Sequence, residues 1–158
     1  MGRAFAAQGW DVDSVDLEMT ATWQMDVLEW EQGVMQDPGL PRYNCIWASP
    51  PCTQYSRART TARTPRNLEQ ADELVRCAIR IIDALQPSFW YIENPQTGLL
   101  KDRDVVAGLQ FRDVSYCMYG MPYKKQTRIW TSEAEEWAPR LCSATAKMGA
   151  GKCWVGAT

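Results

Sequence analysis

The sequence contains no histidine, no C-x-x-C pair and no long apolar run. The lack of histidine removes histidine-based acid/base catalysis, and together with the cysteine spacing it argues against the usual zinc sites. Acid/base chemistry must therefore fall to carboxylates, lysines, tyrosines or water. The apolar stretches are far shorter than the roughly 20 residues that cross a bilayer, and the N-terminus lacks the layout of a signal peptide. We expect a cytoplasmic protein with no membrane partner.

Charge is nearly balanced over the whole chain but not along it. The 158 residues carry a net charge of −2. Residues 1–52 hold eight acidic and two basic residues (−6), whereas residues 53–158 hold eleven acidic and fifteen basic ones (+4). The overall balance argues against a simple nucleic-acid-binding domain. With 46% apolar residues, a chain of this length suits a single domain with a substantial core.

The best-defined element is a helix predicted over residues 68–85. Apolar residues recur there at helical spacing, Asn67 and Gln70 form a capping signal at its start, and Pro87 ends the pattern. Apolar runs at residues 45–48 and 88–92 flank it, and each is typical of a strand buried on both faces. Strand, helix and strand together predict a βαβ unit with parallel strands.

The remaining elements are predicted to be shorter. Gly9 closes a short helix over residues 2–8. Two short strands, over residues 10–16 and 21–25, end at Asp16 and Asp26. Glycines and prolines predict a loop over residues 29–44, with room for one helical turn. A basic turn joins strands over residues 111–118 and 128–131 as an antiparallel hairpin.

Cys52 is the candidate nucleophile. Two prolines fix the backbone before it and turn-favouring residues follow it, which indicates a rigid corner after the strand at residues 45–48. Glu93 follows the next strand. Because parallel strands end at a common edge of a sheet, Cys52, Glu93, Asp16 and Asp26 are expected on the same edge. The alternatives are an ordinary buried cysteine and carboxylates that only end strands or cap turns.

Basic residues are concentrated after Cys52, where no acidic residue precedes Glu69. This run comprises Arg57, Arg59, Arg63 and Arg66. It is either a solvated loop or a set of phosphate contacts for a polyanionic substrate.

The chain carries three motifs in order: Pro50-Pro51-Cys52 after a strand, Glu93-Asn94-Pro95 after the next strand, and a Gly-x-Pro-basic segment ending in Arg128-Ile129-Trp130. Together they resemble the motifs of the DNA (cytosine-5)-methyltransferases. Residues 11–18 and Asp26 resemble the family's acidic cofactor segments. Three motifs in order are far more specific than one. The resemblance spans residues 2–131 and implies an α/β, Rossmann-like fold with a mostly parallel sheet and an antiparallel hairpin.

The resemblance also implies an activity, which is transfer of a methyl group from S-adenosylmethionine to carbon 5 of cytosine in DNA. Cys52 would attack carbon 6, Glu93 would bind ring nitrogen 3 and the exocyclic amine, and Arg128 would help orient the thiol, the base or its phosphate. The implied cofactor-binding residues are Asp16, Leu17, Asp26, Val27 and Pro50. The implied nucleic-acid-binding residues are Gln54, Ser56, Arg57, Arg59, Arg63, Lys124 and Lys125.

The chain departs from the family at both ends. The family's glycine-rich cofactor loop and the strand before it should stand upstream of residues 3–5, and only 28 residues follow Trp130. We therefore expect residues 1–131 to form a catalytic domain whose first strand is missing or truncated, and residues 132–158 to form a polar, weakly structured tail. A second copy of the chain or a partner would supply target recognition or the missing strand.

Other functions stay open at this point. The chain could be a catalytically impaired remnant that binds nucleic acid or a partner through its arginines, and RNA could replace DNA because the ring chemistry is the same. A thiol redox role for Cys52 is disfavoured, since no resolving cysteine stands near it. A bacterial or phage-encoded source is expected for so short a member of the family.

Overall fold

The computed structural model describes residues 1–37, 39–59, 62, 64–133 and 138–142. Within these ranges, three α-helices and four strands form an α/β fold. The helices are α1 (Gly2–Ala6), α2 (Val27–Gln36) and α3 (Leu68–Leu85), and the strands are β1 (Cys45–Ala48), β2 (Phe89–Pro95), β3 (Phe111–Ser115) and β4 (Gln126–Thr131). Short 3₁₀ turns lie at Leu100–Asp102, Asp104–Val106 and Tyr116–Tyr119. None of the described helices is long and apolar enough to cross a membrane.

The four strands form one sheet in the order β1-β2-β4-β3. β1 and β2 are parallel, whereas β4 is antiparallel to both of its neighbours. Three strands therefore run in one direction and β4 runs in the other. The predicted βαβ unit and the predicted antiparallel hairpin are both confirmed.

Helix α3 forms over the predicted residues because its ends and its buried face are both well defined. The side chain of Asn67 accepts a hydrogen bond from the backbone N–H of Gln70 at 3.0 Å. Gln86 takes the left-handed conformation just past the last turn, and Pro87 cannot continue the helix. The buried face packs against β2 and β4 in a core that includes Ala71, Val75, Ile82, Ile92 and Trp130. Fully burying each of the larger side chains contributes about 1.5–3 kcal/mol.

Helix α2 occupies the first half of the segment over residues 29–44, for which the sequence predicts a loop, so that part of the prediction is wrong. Asp26 caps the helix by accepting a hydrogen bond from the N–H of Leu28 at 2.8 Å. Glu31 pairs with Arg80 of α3, one guanidinium nitrogen lying 2.8 Å from Glu31 Oε2. Gly33 lowers helix propensity by about 1 kcal/mol, but capping and packing against α3 outweigh this preference.

The two strands predicted over residues 10–16 and 21–25 are also corrected. The structure forms a single parallel bridge there, between Val15 and Trp23. Backbone hydrogen bonds join Asp16 N–H to Trp23 O at 3.2 Å and Trp23 N–H to Ser14 O at 2.9 Å. Alternating polarity produces a strand only where a neighbouring strand takes up its hydrogen bonds, and no described strand lies beside this bridge. The bridge still holds the segments before Asp16 and Asp26 together.

The predicted strand over residues 111–118 ends at Ser115, and a 3₁₀ turn continues to Gly120, whose φ is +92°. Part of the predicted tail packs beside this strand end. The N–H of Ser115 donates to Arg140 O at 3.1 Å, and the N–H of Cys142 donates to Ser115 Oγ at 3.0 Å. Residues 134–137 and 143–158, the rest of that predicted tail, lie outside the described residues.

Candidate active site

One edge of the sheet gathers the carboxyl ends of β1, β2 and β3 and the start of β4. Cys52 lies four residues beyond the end of β1, and Glu93 lies within β2, two residues before its end. The N–H of Gln96 donates to Gln126 O at 3.1 Å, which ties the chain after β2 to the start of β4. The parallel pairing of β1 and β2 therefore sends Cys52 and Glu93 to the same edge.

Cys52 is exposed on a loop that is fixed to the chain at the end of β2. The side-chain amide of Asn94, next to Glu93, donates to Pro50 O at 2.9 Å. The N–H of Leu99 donates to Tyr55 O at 2.9 Å, and Tyr55 N–H donates to Cys52 O at 3.1 Å. Hydrogen bonds therefore hold the chain on both sides of Cys52, at Pro50 and at Tyr55. These bonds fix the position of Cys52 relative to β2.

The same loop is anchored to α3 through a buried tyrosine. Tyr55 is fully buried, and its hydroxyl donates to Asp72 Oδ1 at 2.9 Å. The positive charge of Arg103 compensates the buried Asp72 carboxylate. Arg103 Nε lies 3.0 Å from Asp72 Oδ2, and Arg103 Nη2 lies 2.5 Å from the same atom. Burial, followed by the hydrogen bond to Asp72, raises the pKa of Tyr55 well above its ordinary value. Tyr55 therefore stays a neutral hydrogen-bond donor across the physiological range.

Two of the arginines that follow Cys52 bind the loop itself. Arg66 donates to Gln54 O at 2.6 Å and to Ser56 O at 3.1 Å. Arg59 donates to the side-chain oxygen of Gln54 and to Thr64 O, the latter at 3.2 Å. The predicted nucleic-acid-binding residues Gln54, Ser56 and Arg59 therefore take part in the hydrogen bonds that shape the loop around Cys52.

Arg57 differs from these two arginines because its partner is a surface carboxylate. It lies 3.3 Å from Asp102, and both side chains are more than half exposed. An exposed pair of this kind contributes little stability, so a phosphate can replace Asp102 at small cost. Lys124 is half-buried in the turn before β4, and the predicted Arg63 lies outside the described residues.

Lys125, predicted to bind nucleic acid, contacts Glu93 instead. Its Nζ lies 3.1 Å from Glu93 Oε1 and 4.9 Å from the centre of the Tyr116 ring. Only 9% of Glu93 is exposed, and a buried carboxylate needs a partner of opposite charge. Burial and the negative charge of Glu93 raise the pKa of Tyr116 to about 12. Sequence reasoning missed this cluster because it depends on the pairing of β2 with β4.

Arg128 lies on β4 but on the opposite face of the sheet from Glu93. The register places Arg128 opposite Asn94 and places Ile129 opposite Glu93, and directly opposed residues share a face. The guanidinium of Arg128 binds Asp113 through two hydrogen bonds of 2.7 and 2.9 Å. It also stacks 3.6 Å above the ring of Phe111. The structure therefore brings Lys125, and not Arg128, to Glu93.

The acidic residues predicted for the cofactor are held by local hydrogen bonds. Asp16 Oδ1 accepts from the N–H groups of Met19 at 2.8 Å and Glu18 at 2.9 Å. These bonds, that of Met19 first, hold the pKa of Asp16 below its ordinary value, so its side chain is an ionised acceptor. Asp26 accepts from Leu28 as the cap of α2.

Three further residues are predicted to bind the cofactor: Leu17, Val27 and Pro50. Leu17 is 62% exposed, Val27 is the first residue of α2, and Pro50 is half-buried beside Asn94. Ionised carboxylates are suitable acceptors for ribose hydroxyls and for an adenine amine. Asp16 and Asp26, which act as acceptors in the structure, therefore fit the hydroxyls and amine of S-adenosylmethionine.

Comparison with solved structures supports the fold. The chain resembles a protein encoded within an E. coli prophage and described as a DNA modification methyltransferase, with a TM-score of 0.53 and 20% sequence identity. The likeness covers 80% of this chain and 41% of that one. The Rossmann-like methyltransferase fold predicted from the sequence is thereby confirmed.

Comparison with curated proteins identifies the family, although no family model matches the chain. The chain is 33% identical over 147 residues to the "Probable DNA (cytosine-5)-methyltransferase" of Frog virus 3 (isolate Goorha). The alignment covers 86% of this chain and 66% of that relative's length. It includes most of the residues that carry the three sequence motifs and the edge of the sheet at which they meet. The chain belongs to the DNA (cytosine-5)-methyltransferase family.

Proposed function

We propose that this chain transfers a methyl group from S-adenosylmethionine to carbon 5 of cytosine in DNA through a covalent adduct on Cys52. The observation that carries the proposal is the exposed Cys52 on a loop that Asn94 fixes to β2, at the edge of the sheet where Glu93 also lies. Family membership supports the substrate and the reaction. The Lys125–Glu93 pair supports acid/base chemistry at the same edge.

Cys52 begins the reaction by making carbon 5 nucleophilic. Its thiolate donates an electron pair to carbon 6, a sulfur–carbon bond forms, and the electrons of the carbon 5–carbon 6 double bond move into the ring. Glu93 binds nitrogen 3 and the exocyclic amine, and the Glu93–Lys125 pair supplies a proton at nitrogen 3. The cytosine must leave the stack, since both faces of its ring are needed.

Asp16 and Asp26 would hold the ribose hydroxyls and the adenine amine of the cofactor. S-adenosylmethionine, when bound, supplies an electrophilic methyl group. After carbon 5 has received the methyl group, its proton passes to water or another base, and the electrons of that carbon–hydrogen bond form the double bond to carbon 6 as the bond between sulfur and carbon 6 breaks. The electron pair of the broken bond returns to Cys52 as a thiolate, and the proton on nitrogen 3 returns to the Glu93–Lys125 pair.

The test measures 5-methylcytosine by mass spectrometry after incubation of the chain with DNA and labelled cofactor. The wild type forms labelled 5-methylcytosine and Cys52→Ala forms none above background. Cys45→Ala serves as the matched control, because Cys45 is a half-buried cysteine of β1 outside the reaction, and it keeps activity. Equal signals from the wild type and Cys52→Ala would show that the assignment is wrong, and a parallel RNA substrate decides between the two nucleic acids.

A second function, a methyltransferase remnant that binds nucleic acid or a partner, is favoured by the segment over residues 10–26. That segment forms one bridge rather than two strands, and Asp26 already serves as the cap of α2. Calorimetry with S-adenosylmethionine separates the two functions. Saturable binding supports the enzyme, whereas no heat at millimolar ligand supports the remnant.

A further inference from the structure

The turn before β4 exposes three large nonpolar side chains within five residues. We call residues 119–124 the tyrosine loop. The exposed fractions are 51% for Tyr119, 37% for Met121 and 48% for Tyr123. Single exposed nonpolar side chains are common on protein surfaces, but a cluster of them marks a surface that makes contacts.

The tyrosine loop borders the candidate active site. It leads directly into Lys125, whose ammonium group contacts Glu93 at 3.1 Å. The start of β4 is in turn bonded to the chain after β2 through Gln96 N–H and Gln126 O at 3.1 Å. A molecule that reaches Glu93 across this edge of the sheet therefore passes next to the tyrosine loop.

Two basic residues lie at the exposed rings. Lys124 belongs to the loop itself, whereas Lys125 and Arg128, which follow it, are paired with Glu93 and Asp113. Arg140 lies across the ring of Tyr119, with its guanidinium carbon 6.0 Å from the ring centre, and its N–H donates to the Tyr119 hydroxyl at 2.9 Å. Aromatic faces beside cations suit a polyanion that carries flat rings.

We propose that the tyrosine loop binds single-stranded DNA, with Tyr119 and Tyr123 stacking on bases next to the target cytosine and Lys124 and Arg140 contacting phosphates. A duplex keeps the faces of its bases inside the stack, so exposed tyrosines favour a single strand. The place of the target cytosine beside Glu93 rests on the proposed function. The binding itself needs neither the cofactor nor the thiol of Cys52.

The test is fluorescence anisotropy of a labelled 12-nucleotide DNA with a central cytosine, offered as a single strand and as a duplex. Wild type binds the single strand more tightly, and Tyr119→Ala and Tyr123→Ala each weaken that binding by about 10-fold. Tyr123→Phe, which keeps the ring, stays within about twofold of wild type. Lys124→Gln reduces the slope of log affinity against log salt by about 0.7. The matched control is Phe89→Ala, which removes a 39% exposed ring at the start of β2, at the opposite edge of the sheet, and leaves binding unchanged.

Three results would overturn the proposal: no binding by wild type, tighter binding to the duplex, or normal binding by both tyrosine-to-alanine variants. Failure of the proposed function looks different, because it appears as strand binding without 5-methylcytosine. Conversely, methylation by a chain whose tyrosine variants bind normally would sink this proposal alone. Cys52→Ala, which is expected to bind the strand like wild type, checks that the two readouts are independent.

Discussion

The loop around Cys52 and the segment around Asp16 belong to the same proposed reaction but are held in different ways. The Cys52 loop is bonded to the end of β2, to α3 through the buried Tyr55, and to itself through Arg59 and Arg66. Residues 10–26 are mostly exposed. One bridge between Val15 and Trp23, two hydrogen bonds between Ser14 and Thr22, and one from the Tyr43 hydroxyl to Asp13 hold them, and all three of these side-chain hydrogen bonds are exposed.

This difference means that the fold holds the residues proposed to act on the base more firmly than the residues proposed to bind the cofactor. Local opening is easiest where few buried contacts and many exposed backbone hydrogen bonds occur. The segment around Asp16 has this character, so binding of S-adenosylmethionine should order it. The Cys52 loop should change little. The four variants below test this contrast, beginning with the largest expected effect.

Glu93→Gln should lower the rate of methyl transfer by about 100- to 1,000-fold, because it removes the carboxylate that acts at nitrogen 3. Binding of S-adenosylmethionine should not change, since Glu93 belongs to the base half of the site. Single-turnover formation of 5-methylcytosine and calorimetry measure the two quantities. Glu69→Gln, which changes a surface carboxylate at the start of α3, is the control. A rate of methyl transfer equal to that of the wild type would show that the Glu93 carboxylate takes no part in the reaction.

Asn94→Ala should lower the rate of methyl transfer by about 10- to 100-fold, because the truncated side chain no longer holds the Pro50 carbonyl that places the Cys52 loop. The free energy of unfolding should fall by about 1–3 kcal/mol, since that part-buried carbonyl loses its partner. Urea unfolding and single-turnover assays measure both effects. A stable variant with a normal rate would show that the loop is placed by other contacts.

Asp16→Asn should weaken binding of S-adenosylmethionine by about 10-fold, because the hydrogen bonds to the ligand lose their charged acceptor. The rate at which a thiol reagent labels Cys52 should stay at the wild-type value. Asp11→Asn, a nearby exposed substitution, is the control for calorimetry. If Asp16→Asn changes the rate of Cys52 labelling but not the affinity for S-adenosylmethionine, Asp16 acts on the Cys52 loop and not on the cofactor, which would contradict the account.

Tyr116→Phe should have the smallest effect and should appear only at alkaline pH. The pKa of Tyr116 is raised from 10.0 to about 12 in the folded chain, so the unfolded chain loses this proton first. The stability from the neutral hydroxyl is therefore present below pH 10 and is lost between about pH 10 and 12. The free energy of unfolding of the wild type, measured with urea, should fall more steeply with pH in that window than that of Tyr116→Phe. If the free energies of unfolding of the two proteins depend on pH in the same way, Tyr116 ionises at the same pH in the folded and the unfolded chain.

The elements predicted correctly from the sequence are those with strong local signals. The apolar period and the Asn67 cap determine α3, and the continuous apolar runs determine β1 and β2. Helix α2 was missed because Gly33 and the Asp37-Pro38-Gly39 turn indicated a loop. Asp26 followed by Glu29 is a capping signal that could have revealed it.

The contacts of the site were harder to predict because they depend on partners distant in sequence. Lys125 and Arg128 are three residues apart, so alternation along the extended chain sends them to different faces, and only the register of β4 against β2 decides which of them shares the face of Glu93. The buried Tyr55 and Asp72 and the half-buried Arg103 likewise join the Cys52 loop, α3 and the junction of two 3₁₀ turns. No local pattern specifies such pairings, since each residue alone suits an ordinary surface position.

The central claim is that Cys52 forms a covalent bond with carbon 6 of cytosine during methyl transfer. The most direct measurement uses DNA in which fluorine replaces the hydrogen on carbon 5. Hydrogen leaves carbon 5 as a proton, whereas fluorine cannot leave as a cation, so the adduct cannot resolve. Intact-mass analysis with S-adenosylmethionine should show one chain joined to one oligonucleotide carrying one added methyl group, and peptide mapping should place the bond on Cys52. Absence of the adduct from a folded chain that binds both ligands, or an adduct on another cysteine, would contradict the account.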